Sequence, residues 1–438
     1  MTWLRHRLAP PGSRREALGR KIVQGAVLRT RRQCRIAWQR VLQANRLSLA
    51  PSLPAIDAPQ PCDGPYDIVC LPIIRWPFRF QRPQQLMRQF ARHGHRVFYL
   101  SDEFLLARPV AVAPIEPNVY GLSVSANAAI RPYEGRLSAA DVWSMADGVA
   151  RLRALDPMRP TRVLVQHPWW APLAEELRTR FGWPIVYDCM DDHAGLGVGR
   201  RAASKRLDAE DRLLRTADLT VVTSEWLLDR GRALARRTAL VRNGVDYEHF
   251  ASVSRPAPPG EVVVGYYGAI AHWFDARLVA DLAKLRPDWR FELVGNTFSA
   301  DLTPLAGLPN VRLLGEMPYA AVPEQLARWQ CCVIPFVRND LTEATNPVKV
   351  YEMLAAGMPV VAVNLPELRP IAAAGLIELA DDAQGFAKKI DRLLENQSPE
   401  LVAARRAFAR KNTWHDRYCE LAAAMTPLDR ADKLPEAA

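Results

Sequence analysis

Residues 341–364 read LTEATNPVKVYEMLAAGMPVVAVN and decide the fold class. The run NPVKVYEMLAAG predicts a helix, because Pro347 suits a first turn, Asn346 can cap it, and Gly357 ends it before the β-rich run PVVAV. A helix that leads directly into a buried strand is typical of the βα units of a parallel sheet. Its N terminus then lies at the carboxyl edge of the sheet, where unbonded N–H groups and the helix dipole favour a phosphate group.

Two charged side chains of this helix suit a nucleotide. Lys349 in the first turn adds positive charge, and Glu352 follows at a place where a carboxylate can accept hydrogen bonds from a ribose diol. An ordinary amphipathic helix with an exposed lysine and an exposed glutamate explains the same residues equally well. The helix pattern alone leaves both interpretations open.

The alternation of β-rich runs and helical patterns extends along most of the chain. It forms one series up to residue 243 and a second series from residue 261, and the turn-rich stretch between them is typical of an interdomain link. The β-rich runs of the first series are 66–72, 95–101, 161–167, 184–190, 219–224 and 238–243. Those of the second series are 261–270, 291–296, 311–316, 331–337, 359–364 and 376–381. We therefore expect an α/β protein of two tandem Rossmann-like domains, with the ligand site in the cleft between them.

Composition supports this size and excludes some partners. The chain has 438 residues, of which 49% are apolar and 24% charged, so it is globular and longer than one core usually sustains. Its net charge of +11 resides entirely in residues 1–47, which contain twelve basic residues and one acid, and the remainder is neutral. A neutral body lacks the positive footprint that nucleic-acid binding requires, so no nucleic-acid partner is expected.

The basic N-terminal segment has a helical pattern from Arg14 to Leu47, with apolar residues between the arginines. Such a helix can lie on an anionic membrane surface. A solvated helix or an extension without a partner is the alternative, and the pattern does not decide between them.

Other features of the sequence narrow the class further. No apolar run approaches the roughly 20 residues that span a bilayer, and the first residues lack the apolar core of a secretory signal, so we expect a cytoplasmic protein. Seven cysteines without a CxxC pair favour reduced, buried thiols over a disulfide frame or a zinc site. The chain has no GxGxxG, Walker lysine loop, GxSxG or HExxH motif, which disfavours dehydrogenases, NTPases, serine hydrolases and metalloproteases.

Candidate site residues in the first series follow predicted strands. The run VLVQHPWW (163–170) places His167 at the carboxyl end of a predicted strand, and the acidic group Asp188, Asp191 and Asp192, with His193, also ends a strand, at the run VYDCMDD. We expect Asp191 or Asp192 to bind a hydroxyl group of a substrate, and we expect no metal, because two adjacent carboxylates that face different ways chelate poorly. A packed, hydrogen-bonded histidine is the ordinary alternative for His167.

The turn Gln81-Arg82-Pro83 opens a predicted helix that faces the cleft. Arg82 is therefore a candidate for contact with a phosphate group of a ligand. An arginine without any specific role remains an equally good interpretation. Gly268, in VVGYYGAI, allows a tight turn beneath a bound diphosphate.

These motifs resemble those of GT-B-fold glycosyltransferases, closest to the retaining enzymes of glycosyltransferase family 4. The resemblance extends from Tyr66 to Met425 and is carried by KVYEMLAAGMPVV, by NGVD at 243–246 and by the tandem α/β domains. A bacterial subgroup that acts in cell-surface polysaccharide synthesis shares the loop from Arg75 to Leu86 and the strand end at 186–192.

The resemblance implies transfer of a sugar from a nucleotide-diphosphate donor, held by the C-terminal domain, to a glycan or lipid-linked acceptor held by the N-terminal domain. It implies no metal and no cofactor apart from the donor substrate. With the acceptor lipid-linked, the basic helix implies a cytoplasmic enzyme held peripherally on the inner face of the membrane. The predicted segments are a basic helical extension (1–47), a proline-rich linker (48–65), an acceptor domain (66–245), a donor domain (246–410), a closing helix (411–425) and a tail (426–438).

Glu352 matches the second of the family's paired glutamates, which binds the donor ribose. The first glutamate falls on Ala344, and the adjacent Glu343 would point elsewhere. Pro347 has no N–H, so the amides of Val348 and Lys349, next to Asn346, are the expected phosphate contacts. His167 matches a family histidine that reaches the donor sugar near its reacting carbon.

The family's Arg and Lys that neutralise the leaving diphosphate are missing from GYYGAIAHWFD (265–275), where Ala269 replaces the arginine. Some cation must still stabilise the departing phosphate, because negative charge develops there. The candidates are Lys349, Arg82 and Arg338, in that order.

Two other functions stay open at this point. A sugar-nucleotide epimerase of the same fold would turn over the donor without an acceptor. A catalytically degenerate sugar-nucleotide-binding subunit would bind the nucleotide without turnover, as Ala344 and Ala269 suggest.

Overall fold

The computed structural model describes the chain from residue 64 to residue 428, and Ala58–Ala438 fall in one compact unit. The residues within this range that it does not describe are 106–109, 128–129, 131–132, 134, 155, 193–199, 253–259 and 298–299. The predicted basic extension, most of the linker and most of the tail lie outside the described residues, as does His193.

The first series of β-rich runs forms one sheet in the order β3-β4-β2-β1-β5-β6-β7-β8. Its strands are β1 (Asp67–Leu71), β2 (Val97–Leu100), β3 (Val110–Glu116), β4 (Val119–Val124), β5 (Thr161–Val165), β6 (Ile185–Cys189), β7 (Leu219–Val222) and β8 (Thr238–Leu240). All neighbouring strands are parallel except β3 and β4, which pair antiparallel. The sequence patterns do not predict this edge hairpin, because Pro114 and Pro117 interrupt its alternation.

Most of these strands are followed by helices, which lead from the carboxyl edge of the sheet back to the start of the next strand. They are α1 (Arg82–Arg92), α2 (Ala139–Arg153), α3 (Ala171–Phe181), α4 (Arg200–Thr216), α5 (Glu225–Leu234) and α6 (Tyr247–Ala251). Helix α1 starts with a reciprocal capping box between Gln81 and Gln84, and Ser224 caps α5 by accepting a hydrogen bond from the Leu227 amide. Both helices therefore begin at defined positions beside the cleft.

The second series forms a six-stranded parallel sheet in the order β11-β10-β9-β12-β13-β14. Its strands are β9 (Val262–Tyr267), β10 (Trp289–Val294), β11 (Val311–Gly315), β12 (Cys331–Ile334), β13 (Val360–Ala362) and β14 (Glu378–Leu379). Its helices are α7 (Ala276–Leu285), α8 (Val322–Ala327), α9 (Asp340–Glu343), α10 (Val348–Ala355), α11 (Arg369–Ala373), α12 (Ala383–Glu395) and α13 (Pro399–Arg410). Gly357 follows α10 with φ 75°, the left-handed conformation that ends a helix.

A last helix, α14 (Trp414–Met425), returns to the first domain. Trp414, Tyr418 and Leu421 are buried in the same apolar cluster as Phe90 of α1, and the Tyr418 and Phe90 rings meet edge to face at 5.0 Å. The end of the chain thus packs against the domain in which it began. The expected α/β fold with two parallel-sheet domains is confirmed.

Within the described part of the chain, no helix combines the length and the apolar character needed to cross a bilayer.

Gly265, inside β9, has a packing role that can be tested. A Cβ at this position would lie 1.9 Å from Cδ2 of the buried Trp329 indole, so we expect Gly265→Ala to destabilise the protein by about 3 kcal/mol. Thermal unfolding measures the loss. The control is Gly121→Ala in β4, where the nearest atom is Cδ1 of the flexible Ile115 side chain at 3.3 Å. Equal melting temperatures for the two variants would contradict this packing.

Candidate functional site

A cavity of about 360 Å³ lies where the carboxyl ends of the two sheets face each other. The first domain lines it with the end of the β1–α1 loop, the start of α1 and the residues that follow β6. The second domain lines it with the residues after β9, β10 and β11 and with the N-terminal end of α10. Carboxyl ends of parallel strands are the usual position of ligand sites in α/β folds, and here both domains contribute theirs.

Helix α10 points its N terminus into this cavity. Val348 and Lys349 occupy its first two positions, and Pro347 precedes them as the N-cap residue without a side-chain cap. The prediction that Asn346 caps this helix is wrong, because its side chain bonds elsewhere: Oδ1 accepts from the Asn243 amide at 3.0 Å, and Nδ2 donates to Glu367 at 2.9 Å. Asn346 still lines the cavity, but it fastens α10 to the first domain.

The Lys349 ammonium lies on the cavity wall against aromatic rings. Its Nζ is 4.7 Å from the centroid of Phe336 and 5.5 Å from that of Tyr266. Gly268 packs against the Lys349 side chain. Its φ is 126°, and a Cβ at this position would lie 3.1 Å from Cε of Lys349. Burial lowers the pKa of Lys349 to about 8, although the carboxylates of Glu352 and Asp191 oppose the shift. The site therefore holds a desolvated cation beside the helix N terminus.

Glu352 lies one turn further along the same helix face and is buried. The hydroxyl group of Tyr267, the last residue of β9, donates a hydrogen bond to its carboxylate. Burial raises the pKa of Glu352 to about 7, and the Tyr267 hydrogen bond and the Lys349 charge act in the opposite direction. A carboxylate in this position can accept hydrogen bonds from a diol once ligand enters.

Asp191 faces Lys349 from the first domain. Its two acidic neighbours each pair with an arginine, Asp188 with Arg82 at 2.7 Å and Asp192 with Arg230 at 3.2 Å. Asp191 itself lines the cavity, and burial raises its pKa to about 7 against the opposing charge of Arg82. Across the described residues, no group of three or more His, Cys, Asp or Glu side chains is arranged to hold a metal ion.

Arg82 also lines the cavity, but its guanidinium is directed into the protein. Nε and one terminal nitrogen donate to Asp188, and the other terminal nitrogen donates to the carbonyls of Val241 and Arg242 at 3.0 and 3.1 Å. The Arg82 side chain is 2% exposed. The Arg82 guanidinium therefore neutralises the buried Asp188 and holds the segment at 241–242, which leads from the first domain to the second.

Arg338 and His167 are not among the residues that line the cavity. Arg338 is exposed and pairs with Glu343 and Asp381, both at 3.4 Å. His167 lies two residues after β5, where its Nδ1 accepts a hydrogen bond from the Trp169 amide at 3.1 Å and its ring lies edge to face on Tyr133. The structure brings together the remaining predicted residues: Arg82, Asp191, Gly268, Asn346, Val348, Lys349 and Glu352.

Ala344 occupies the position of the family's first glutamate. It is fully buried, and its carbonyl accepts a 2.6 Å hydrogen bond from Ser224 of the first domain. The neighbouring Glu343 pairs with Arg338 at the surface and does not line the cavity. Neither position offers a carboxylate to a ligand in this cavity.

Sequence reasoning missed several residues of the cavity wall. Tyr267, Trp273 and Tyr319 contribute aromatic surface, and Arg79 and Glu316 contribute opposite charges from the two domains. Tyr267 ends β9 and Glu316 directly follows β11. Positions at the ends of predicted strands can be recognised from the sequence. The other three give no local signal.

Comparison with known proteins shows what this chain is similar to. Residues 261–396 match the family model of glycosyl transferases group 1. A Bacillus subtilis (strain 168) protein assigned as the teichuronic acid biosynthesis glycosyltransferase TuaH is 29% identical over a 265-residue alignment that covers 55% of this chain and 66% of that protein. The match thus spans slightly less than two thirds of the relative's length.

Solved structures show the same fold. The sucrose-phosphate synthase of Thermosynechococcus elongatus superposes with a TM-score of 0.68 at 17% identity and covers 84% of this chain and all of its own. An E. coli trehalose-6-phosphate protein bound with UDP-2-fluoro glucose has a TM-score of 0.59 at 14% identity and covers 82% of this chain and 98% of its own. The expected GT-B fold is confirmed, and the assignment to family 4 stays a prediction.

The burial of Arg82 leads to a test of its role. Replacing Arg82 with Met leaves the Asp188 charge unpaired in the interior, which should cost about 3–5 kcal/mol of stability. Adding Asp188→Asn should recover part of that loss, as measured by thermal unfolding. An Arg82→Met protein that melts like wild type but no longer binds a nucleoside diphosphate would instead assign the guanidinium to the ligand.

The lowered pKa of Lys349 predicts an alkaline limit to anion binding. Lys349 loses its proton as pH rises through about 8, so affinity for UDP, or for GDP or dTDP if one of those binds, should fall by at most about tenfold per pH unit above that value. Lys349→Arg should remove this fall, because a guanidinium stays protonated. Calorimetry between pH 7 and 9.5 measures it, and identical pH profiles for the two proteins would contradict the assignment.

Proposed function

We propose that this protein transfers a sugar from a nucleotide-diphosphate donor to a glycan or lipid-linked acceptor in bacterial cell-surface polysaccharide synthesis. The observation that carries the proposal is the joining, in one interdomain cavity, of a helix N terminus, the Lys349 ammonium and the buried Glu352 carboxylate. These three groups belong to the part of the chain that matches glycosyl transferases group 1. The relationship to a protein assigned to teichuronic acid synthesis supports a cell-wall polysaccharide as the product.

The donor would bind mainly to the second domain. Its diphosphate would accept hydrogen bonds from the Val348 and Lys349 amides and receive the Lys349 charge, while Gly268 allows close approach from the opposite wall. Glu352 would accept hydrogen bonds from the ribose hydroxyls. No cofactor other than this donor is proposed.

The sugar would extend from the diphosphate toward the first domain, where Asp191 lines the cavity. In the transfer, the bond between the sugar C1 and the β-phosphate oxygen breaks and its electron pair stays on the phosphate. The acceptor hydroxyl oxygen forms the new bond to C1, and its proton passes to the departing phosphate. This route on the leaving-group face retains the configuration at C1. Asp191 would hold a sugar or acceptor hydroxyl during the step.

The place of action follows from the acceptor. With a lipid-linked acceptor, the basic residues 1–47 would hold a cytoplasmic enzyme against anionic headgroups of the inner membrane face, each arginine contributing at most about 1 kcal/mol. Nucleic acid is not proposed as a partner.

The donor site can be tested without knowledge of the acceptor. The wild-type protein is screened for thermal stabilisation by UDP, GDP and dTDP and by their sugars, since a ligand that binds the folded state raises the melting temperature. Glu352→Ala should weaken the binding of the stabilising nucleotide by about tenfold or more, through loss of the ribose contacts. The control is Glu343→Ala, which removes an exposed glutamate from the same region without touching the cavity.

Three outcomes would contradict the proposal. Unchanged affinity in Glu352→Ala would remove the ribose assignment. Turnover of a nucleotide sugar in the absence of any acceptor, with the sugar still attached, would favour an epimerase. Tight nucleotide binding with neither transfer nor hydrolysis of any donor would favour a catalytically degenerate subunit.

A further inference from the structure

The loop between β1 and α1 is held in a defined shape by one buried glutamine. Nε2 of Gln84 is within hydrogen-bond distance of three carbonyl oxygens of this loop, those of Arg75 at 3.0 Å, Trp76 at 3.2 Å and Phe78 at 2.9 Å. Gln84 is fully buried in the first turn of α1. Arg79 directly follows this segment, so its backbone position beside the cleft is fixed by the same hydrogen bonds.

Arg79 reaches across the cleft to the second domain. Its Nε lies 2.6 Å from Oε1 of Glu316, and both residues line the cavity. Arg79 has φ 42°, a left-handed backbone conformation that non-glycine residues seldom adopt. Unusual backbone of this kind concentrates at functional sites, and here it turns a cationic side chain toward the ligand cavity.

Of the described residues, three with cationic side chains line the cavity, namely Arg79, Arg82 and Lys349. Arg82 is committed to Asp188 and to the domain crossing, which leaves Arg79 and Lys349 as the charges that face the ligand space. They come from different domains. Both charges act on Tyr266. Lys349 Nζ lies over its ring, and burial raises the pKa of Tyr266 while the positive charge of Arg79 acts in the opposite direction.

A leaving nucleoside diphosphate gains negative charge as the sugar departs, and one lysine neutralises only part of it. Position 269, where the resembled enzymes have an arginine, is an alanine that lines the same cavity. The second charge must then come from another residue of the cavity wall, and Arg79 of the first domain lines the same cavity.

We propose that Arg79 is a catalytic residue that exchanges Glu316 for the diphosphate of the donor, an inference that rests on the proposed function. In the nucleotide-free protein, the ion pair with Glu316 spans the cleft. With donor bound, the guanidinium donates hydrogen bonds to β-phosphate oxygens, for which its planar fork is suited. As the bond from C1 to the β-phosphate oxygen breaks, the electron pair that stays on that oxygen is stabilised by Arg79, which keeps its own protons.

The test compares nucleoside diphosphate with monophosphate binding. UDP and UMP serve as probes, replaced by the GDP and GMP or dTDP and dTMP pair if that diphosphate is the one that stabilises the protein. Arg79→Ala should weaken diphosphate binding by about tenfold or more and change monophosphate binding by less than about twofold, because Arg79 acts on the β-phosphate. Arg79→Lys should recover part of the diphosphate affinity.

Two further variants separate a ligand contact from a structural ion pair. Glu316→Gln removes the competing carboxylate and should tighten diphosphate binding, by about twofold or more. Arg178→Ala breaks an ion pair of similar exposure in the same domain, with Asp218, away from the cavity, and should bind both nucleotides like wild type.

Equal losses of diphosphate and monophosphate affinity in Arg79→Ala, or equal losses in Arg79→Ala and Glu316→Gln, would overturn the inference and leave Arg79 as a structural ion-pair residue. Wild-type affinity in Arg79→Ala would do the same while the proposed function stood. A wild-type protein that binds none of the three diphosphates would overturn the proposed function, and the inference with it.

Discussion

The buried guanidinium of Arg82 is the constraint on which the geometry of the cavity depends. Burying a charge is costly unless it is paired and its hydrogen bonds are made, and Arg82 meets both conditions with Asp188 and two carbonyls of the segment that precedes Asn243. Asn243 then donates two hydrogen bonds to Asn346, from its main-chain N–H to Oδ1 at 3.0 Å and from Nδ2 to the carbonyl oxygen at 2.7 Å. A continuous chain of polar contacts therefore runs from the start of α1 to Asn346, two residues before α10.

These polar contacts determine the direction in which the functional side chains of the second domain face. Asn346 also donates to Glu367, whose other hydrogen bonds come from Arg242 and the Glu225 amide of the first domain. These contacts lie at the junction of the two domains. The start of α10, with Lys349 and Glu352, is consequently aimed at the end of β6, where Asp191 lies.

The same closeness explains the electrostatics of the cavity. Glu352 and Asp191 have pKa values near 7 and Lys349 near 8, in each case chiefly because burial penalises the charged form. Near neutral pH, groups with such pKa values are close to the point at which they gain or lose a proton. The charge of an incoming ligand can therefore change their protonation. A diphosphate entering beside Lys349 would raise the pKa of that ammonium and so strengthen its own binding.

The sequence predicts the fold well, because parallel strands buried on both faces produce apolar runs separated by helical patterns. It also predicts the βα unit at 341–364, since Gly357 and the helix pattern are local signals. The roles of Asn346 and Arg82 could not be predicted, because their partners lie far along the chain and depend on domain packing. The Arg79 and Glu316 pair, separated by 237 residues, is of the same kind. The motif from Arg75 to Leu86 can be recognised in the sequence, but the hydrogen bonds by which Gln84 fixes the conformation of this loop cannot be predicted from it.

We expect the diphosphate of a nucleotide donor to lie between the N terminus of α10 and the turn at Gly268. A crystal structure of the protein with the nucleoside diphosphate that stabilises it tests this most directly. We expect phosphate oxygens within hydrogen-bond distance of the Val348 and Lys349 amides, with the ribose hydroxyls hydrogen-bonded to Glu352. A nucleotide bound elsewhere on the chain, or bound in this cavity with its ribose at α10 and its phosphates directed away from Lys349, would contradict it.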